Sequence, residues 1–305
     1  MTDDRRAYLF TMAIAIIGSI LFSGKAILVK LSYRYGVSSE VLLALRMILA
    51  FPLFWIVYYF SRNYEQHTKI SLKDLIKLMW LGFSGYFLSS YLDFLGLSYI
   101  SAGLERIVLY LTPAIVVLIS YFFLHKPISR LQWISIVIGY LGVVLAFIED
   151  LGTKGNNGWL GVGLVFASAC LYANYLIFSG EMVKRIGSIR LVTYASSFST
   201  LFGIIQITLI SPNELFDQPS EVYILSMINA LFCTVMPIFM IMISVKRMGS
   251  SLTAQSGILG PVSTLFMGWY FLQENISLFQ ICGLVLVIIS VWLLMKNKPP
   301  QTPHI

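Results

Sequence analysis

Long apolar runs separated by short polar stretches dominate the chain. A helix that spans a bilayer needs about 20 mostly apolar residues, and ten runs approach or exceed that length. Because lipid offers no partners to backbone N–H and C=O groups, these runs are predicted to be helices. The predicted membrane helices are Ala7–Val29, Ser39–Phe60, Leu75–Leu97, Ser101–Leu124, Leu131–Ile148, Gly158–Gly180, Leu191–Ile210, Val222–Val245, Leu252–Leu272 and Leu278–Met295.

The composition supports a membrane protein rather than a water-soluble domain. Of 305 residues, 58% are hydrophobic and 11% are charged, whereas a soluble domain is about half apolar and about one quarter charged. Arg5 and Arg6 precede the first apolar run, which is too long for the apolar core of a cleaved signal peptide. We therefore predict that this run is the first membrane helix.

The polar segments contain no pattern typical of catalysis or cofactor binding. Cys170, Cys233 and Cys282 each stand alone in an apolar run, and the three histidines are scattered, so neither a metal site nor a disulfide framework is predicted. No phosphate-binding loop or nucleophile motif is present. The chain is therefore predicted not to be an enzyme and to need no cofactor.

The basic residues predict the orientation of the chain. Placing the N-terminus in the cytoplasm assigns fifteen Lys and Arg residues to inner segments, and only Lys30, Arg34 and Lys154 to outer ones. This is the distribution expected from the positive-inside rule. We expect a multi-pass protein of the bacterial inner (plasma) membrane with both termini cytoplasmic. The net charge of +7 is explained by topology, so no nucleic-acid partner is predicted.

An internal repeat is visible at a constant offset of 148 residues. Residues 96–147 lie over 244–295 without gaps, and the offset pairs Pro113 with Pro261. Ser129 pairs with Ser277, and Gln132 with Gln280, in the same register. Each half then holds five helices, an odd number, so the halves are inverted relative to each other. The predicted fold is an all-α membrane protein of ten transmembrane helices, as two inverted five-helix repeats in residues 1–150 and 151–305.

The segment GLSYISAGLERIVLYLTPAIVVLISYFFLHKPI resembles the signature of EamA-type carriers of the drug/metabolite transporter superfamily. In the second half, Pro261 and the phrase FLQENIS continue the likeness, with Glu274 at the acidic position. His125 and Lys126 depart from it, because they stand where the first repeat usually has its acidic residue. The resemblance implies two EamA repeats and an exporter of small metabolites, but it names no particular solute.

Five charged residues lie well inside predicted helices, all of them in the first half: Lys25, Arg46, Asp93, Glu105 and Arg106. Such residues are costly in lipid and usually face the protein interior or a wet cavity. All five fall near the outer ends of their helices, so we predict a single charged layer with one net positive charge. Two interpretations remain open, a salt-bridge network that fixes the helices and a binding site for an anionic group. Neighbours on a helix point about 100° apart, so only one of Glu105 and Arg106 is expected to line a cavity. Proton uptake by Asp93 or Glu105 is left open as well.

Several uncharged residues complete the predicted solute site. Most of the Tyr and Trp residues are assigned to the membrane interfaces. A mid-membrane proline favours a kink, and Pro113 and Pro261 are predicted hinges. The predicted solute-binding residues besides the five charges are Tyr110, Tyr172, Asn174, Tyr175 and Gln255.

The leading hypothesis is a transporter that moves a small metabolite by alternating access, with export as the expected direction. The expected solute is amino-acid-like, an organic anion or an amphipathic molecule, and the chain is expected to be a monomer or homodimer in the bilayer. One alternative is an uncoupled facilitator of the same fold. Another is an intramembrane enzyme acting on a lipid-linked substrate, which would need a polar constellation at a membrane face that the sequence does not show.

Overall fold

The fold is that of a computed structural model, which describes residues 3–61, 70–125, 127–154, 157–248 and 259–296. Helices are the only regular elements in these ranges, which confirms the all-helical prediction for them. In the first half they are α1 (Asp3–Tyr33), α2 (Ser39–Ser61), α3 (Leu72–Leu81), α4 (Ser89–Leu97), α5 (Ala102–Leu109), α6 (Thr112–Leu124) and α7 (Arg130–Lys154). In the second half they are α8 (Gly158–Ile186), α9 (Ser188–Ile210), a short 3₁₀ turn (Pro212–Leu215), α10 (Ser220–Ala230), α11 (Met236–Met248), α12 (Leu259–Met267) and α13 (Leu278–Lys296).

Seven helical stretches of the described chain are long and apolar enough to cross a membrane. They are Leu9–Tyr33, Ser39–Ser61, Ala102–Leu124, Arg130–Ile148, Gly158–Gly180, Ser188–Ile210 and Ser220–Ile241. Two shorter apolar helical stretches follow, Leu259–Leu272 and Leu278–Leu294. The multi-pass character is thus clear, whereas the count of ten spans stays a prediction.

Three segments of the described chain wind as wider π-helical turns, a feature that sequence periodicity does not reveal. Gly82–Leu88 joins α3 to α4, Leu231–Val235 joins α10 to α11, and Gly268–Leu272 follows α12. Close contact explains the glycines in the first of these turns. A Cβ on Gly82 would lie 2.4 Å from the carbonyl oxygen of Ala195, so α9 packs directly on its backbone.

The predicted helix Ser101–Leu124 is broken into α5 and α6. Tyr110 and Leu111 lie between the two, and Pro113 occupies the first turn of α6, where its missing N–H costs no helical hydrogen bond. Pro261 is buried in the first turn of the described part of α12. Both prolines therefore lie near helix ends of the described structure, and their role as hinges stays a prediction.

The helices pack mainly as pairs drawn from the two halves. α1 packs against α11 and α12, α2 against α9, α4 and α6 against α8, and α7 against α13. The last pair crosses at two glycines, because a Cβ on Gly142 would lie 2.7 Å from the Gly283 carbonyl oxygen. In the other direction, a Cβ on Gly283 would lie 2.4 Å from the Gly142 carbonyl oxygen. This crossing is thus a backbone-to-backbone contact.

We expect Gly283→Ala to lower stability by about 1–3 kcal/mol, because the added methyl group forces α7 and α13 apart. Gly163→Ala is the matched control, since Gly163 lies within α8 and nothing approaches its Cβ position within 4 Å. Thermal unfolding of the purified variants in detergent measures the effect. Equal melting temperatures for the two variants would contradict this description of the crossing.

Candidate functional site

A cavity of about 970 Å³ lies between the two halves. Its wall is formed by residues of α1, α2, α4, α5, α6, α8, α9, α11 and α12 and of two π-helical turns. The cavity extends from the charged layer to Val183 and Ser188, at the junction of α8 and α9. None of its described wall residues comes from α7 or α13, so the glycine crossing lies outside it.

Lys25 and Asp93 form a buried ion pair at one end of the cavity. The Lys25 Nζ atom lies 2.6 Å from Oδ2 of Asp93, and both side chains are at most 9% exposed. The ammonium group also lies 5.7 Å from the centre of the Phe22 ring. Because this pair joins α1 to α4 and cancels its own charge, it fits the salt-bridge interpretation of the charged layer.

Arg106 reaches the same end of the cavity from α5. Its Nη2 donates to Ser23 Oγ at 3.2 Å, and the guanidinium group lies 5.0 Å from the centre of the Phe22 ring. Ser23 Oγ in turn lies within hydrogen-bonding distance of the Gly260 carbonyl oxygen, at 2.9 Å. These contacts orient Arg106 without cancelling its charge.

Arg46 is the second guanidinium group on the cavity wall. It lies 4.8 Å from the centre of the Phe94 ring, and its buried Nε has no hydrogen-bond partner among the described residues. The negative charge of Asp93 acts on it, but Asp93 is already paired with Lys25. Arg46 therefore presents charge to the cavity that the surrounding protein does not neutralise.

Glu105 lies behind the wall rather than on it. Its side chain is fully buried, and the cavity lining includes Arg106 but not Glu105. Successive residues of a helix point about 100° apart, so one of the two was expected to face away. No donor among the described residues reaches either oxygen of the Glu105 carboxyl group.

Four tyrosines line the cavity beyond the charges: Tyr86, Tyr110, Tyr172 and Tyr175. The hydroxyl groups of Tyr86 and Tyr175 lie 3.3 Å apart, and the rings of Tyr172 and Tyr175 stack with centres 5.8 Å apart. Tyr86 was not among the site residues predicted from the sequence. It belongs to the π-helical turn Gly82–Leu88 and lies on the cavity wall.

Two further residues of the cavity wall, Ser199 and Thr200, were not singled out by any pattern in the sequence. Ser199 and Thr200 of α9 line the cavity, and Thr200 Oγ1 donates to the Met47 carbonyl oxygen at 3.2 Å. Isolated Ser and Thr residues recur throughout apolar helices, so composition alone does not select these two. Their contact with α2 brings them to the wall.

The remaining predicted site residues are placed as follows. Pro113 and Pro261 both line the cavity. Asn174 does not, and its amide donates to the Cys170 carbonyl oxygen one turn earlier in α8. Gln255 lies outside the described residues. In the described part of the chain no three His, Cys, Asp or Glu side chains are grouped to hold a metal ion.

Beyond the charged layer, Glu274 links α1 to the N-terminus of α5. Its carboxylate accepts from the Ala102 N–H at 3.1 and 3.2 Å, at the first residue of α5, and its Oε1 lies 3.3 Å from Lys30 Nζ. A carboxylate at a helix N-terminus is favourable because it meets the positive end of the helix dipole. The acidic residue of the second half thus binds two helices of the first, whereas Lys126, its counterpart, lies outside the described residues.

Comparison with known proteins fits a membrane carrier. The profile of the EamA-like transporter family matches residues 9–148 and 159–296. "Uncharacterized transporter YcbK" of Bacillus subtilis (strain 168) is 31% identical over 290 residues, 90% of each chain. An "Uncharacterized transporter" of Archaeoglobus fulgidus is 25% identical over 88% of this chain and 93% of its own. A solved crystal structure, 15% identical, covers 93% of this chain and 95% of its own with a TM-score of 0.62, a likeness of fold alone. The chain belongs to the EamA-like transporter family.

Proposed function

We propose that this protein moves small organic anions with an apolar body across the bacterial plasma membrane by alternating access between two inverted five-helix halves. Export is the direction implied by the family resemblance. The observation that carries the proposal is the pair of guanidinium groups, Arg46 and Arg106, at one end of the cavity. Neither forms an ion pair among the described residues.

Backbone features support two inverted repeats with a boundary near residue 150. His125 and Gln273 are the described non-glycine residues with positive φ, at 51° and 59°, and they are 148 positions apart. The π-helical turns Gly82–Leu88 and Leu231–Val235 fall on the same offset. The two profile matches also fall one in each half. A duplicated five-helix unit would place π-helical turns and positive-φ helix ends at the same offset in both halves.

Helix pairing supports the same arrangement. In the proposed repeat, α8 is the counterpart of α1 and α4 is the counterpart of α11. Replacing each helix by its counterpart turns the pair α1–α11 into the pair α8–α4, and both pairs are in contact. The same operation turns α1–α12 into α8–α6, again a pair in contact. α2–α9 and α7–α13 are each converted into themselves, as expected for a twofold axis between inverted repeats.

The extent of the cavity supports a state open towards the cytoplasm. The Lys and Arg distribution assigns the junction of α8 and α9 to the cytoplasmic side, and the cavity reaches Ser188 there. The opposite end is held by Glu274 with Lys30 and the N-terminus of α5. An alternating-access carrier needs the second state, in which these outer contacts are broken and the inner end is closed.

The wall chemistry indicates the class of solute. Lys25 and Asp93 neutralise each other, so Arg46 and Arg106 leave a positive potential at the blind end. Guanidinium groups bind carboxylates through paired, charge-assisted hydrogen bonds. The tyrosines further along the wall offer ring faces to an apolar body and hydroxyl groups to its polar substituents.

Three probes with one phenyl body and different charge test this assignment: phenylpyruvate, phenylalanine and phenethylamine. In proteoliposomes at neutral pH, we expect saturable transport of the anion, less of the zwitterion, and at least about tenfold less of the cation, a difference of about 1.4 kcal/mol. Protein-free vesicles correct for passive leak. Equal transport of phenethylamine and phenylpyruvate, or no saturable flux of any probe, would contradict the proposed solute class.

A further inference from the structure

We propose that Asp93 and Glu105 hold one proton between them, and that this proton travels with the anionic solute. The second part rests on the proposed function, whereas the first concerns only two buried carboxyl groups. The proton comes from hydronium in the cavity by way of Asp93, which lines the wall, and passes to Glu105, which becomes a carboxylic acid and donates its O–H to Asp93.

The first support is a set of buried oxygen atoms without donors. In the described structure, Oδ1 of Asp93 and both carboxyl oxygens of Glu105 are buried and receive no hydrogen bond. The remaining oxygen, Oδ2 of Asp93, accepts from Lys25 at 2.6 Å. Buried polar atoms are almost always satisfied, so these three point to a donor that belongs to the site.

The second support is the contact between the two carboxyl groups. The Glu105 carboxyl lies close enough to that of Asp93 for a hydrogen bond. Two carboxylates cannot hydrogen-bond to each other, because both are acceptors only. One shared proton removes the repulsion and provides the donor, which is how close carboxyl pairs behave in general.

The surrounding charges are compatible with a single proton. Within the described chain, the charges that act on Glu105 belong to Lys25 of α1, Asp93 of α4 and Arg106 of its own helix. α7, α8, α12 and α13 also pack against α5. The buried core residues that they share with it include Val143, Val165, Leu265 and Leu284, which are neutral. The single ammonium group is bound to Asp93, which leaves Glu105 as the group that takes the proton.

The proton changes the charge that an anion meets. With Glu105 protonated, the trio of Lys25, Asp93 and Glu105 is neutral, and Arg46 and Arg106 dominate the end of the cavity. Loss of the proton adds one negative charge beside these guanidinium groups and weakens binding of an anion. Because linkage is reciprocal, a bound anion strengthens binding of the proton. Solute and proton therefore move in the same direction, so an inward proton gradient drives the solute inward, and export requires an outward gradient of the solute that exceeds it.

Infrared difference spectroscopy of the purified protein in lipid tests the proton without any solute. We expect the carbonyl band of a protonated carboxyl group in the wild-type protein at neutral pH, and its loss in Glu105→Gln. The Gln amide donates to Asp93 in place of the acid, so this variant is expected to fold. Glu40→Gln is the matched control, because Glu40 accepts from the Tyr91 hydroxyl at 2.7 Å outside the pair and should leave the band intact.

The wild-type spectrum decides the first part even if the variant does not fold, since absence of the band at neutral pH overturns it. A band that persists undiminished in folded Glu105→Gln overturns it too. These outcomes do not depend on whether the protein transports phenylpyruvate.

Phenylpyruvate uptake into proteoliposomes tests the coupling. An acidic outside solution should raise wild-type uptake several-fold, whereas Glu105→Gln should lose this stimulation and still exchange labelled for unlabelled phenylpyruvate. Wild-type uptake that is indifferent to the gradient overturns co-transport and favours an uncoupled facilitator. If no phenylpyruvate moves at all, the solute class is wrong, and the infrared result still decides whether the proton is present.

Discussion

Arg46→Gln is expected to abolish transport of phenylpyruvate while leaving the protein folded. The guanidinium group stacks on Phe94, and its Nε has no partner among the described residues, so its removal breaks few internal contacts. A hydrogen bond to a charged group contributes about 1.5–3 kcal/mol. Loss of that amount weakens binding of the anion by roughly 10- to 150-fold, since about 1.4 kcal/mol is a factor of ten.

Arg46→Lys sharpens this prediction. Lysine keeps the charge but not the planar fork that binds a carboxylate through two parallel bonds, so we expect only partial recovery. Arg130→Gln is the control, because Arg130 is exposed at the first turn of α7 and does not line the cavity. Binding of phenylpyruvate to detergent-purified protein and its flux in proteoliposomes give the two readouts. Undiminished flux in Arg46→Gln would refute the role of this residue.

Lys25→Met should cause a large loss of stability. It leaves Asp93 buried, 1% exposed, without its ammonium partner at 2.6 Å. Removal of one member of a buried ion pair costs about 3–5 kcal/mol, because the other charge remains desolvated and unpaired. Lys77→Met, at an exposed lysine of α3, should change stability by no more than about 0.5 kcal/mol.

The double variant Lys25→Met/Asp93→Asn separates an ion pair from simple packing loss. We expect it to be more stable than Lys25→Met alone, because no unpaired charge remains in the interior. Thermal unfolding in detergent of the wild type, Lys25→Met, Asp93→Asn and the double variant completes the double-mutant cycle. Additive losses would show that the two side chains are not energetically coupled.

The sequence was a good guide to what depends on local composition. Apolar runs predicted helices, and the cost of charge in lipid predicted that Lys25, Asp93 and Arg106 would face the interior. The structure brings these charges to one end of one cavity. The 100° step between neighbours also predicted that Glu105 and Arg106 would face different ways, although it did not select which one would line the cavity.

Features that depend on contacts between distant segments were missed. The π-helical turn that contains Tyr86 packs closely on α8 at Gly85, since a Cβ on Gly85 would lie 2.4 Å from Cβ of Tyr175. Nothing within the local sequence reports a neighbour 90 positions away. The break between α5 and α6 at Tyr110 and Leu111 was likewise not predicted. The sequence stays apolar through Pro113, so only the backbone shows where one helix ends and the next begins.

The contacts of Glu274 have a kinetic consequence. One carboxylate holds Lys30 and the Ala102 amide, and Arg34 Nη2 donates to the adjacent Leu272 carbonyl oxygen at 3.2 Å. Because these bonds all hold one short segment, each of them must break before that segment separates from Lys30, Arg34 and the start of α5. The Lys30 and Glu274 side chains are only 15% and 21% exposed, and dissolved ions screen a partly buried pair much less than an exposed one. Turnover should therefore depend little on ionic strength where this separation limits the cycle.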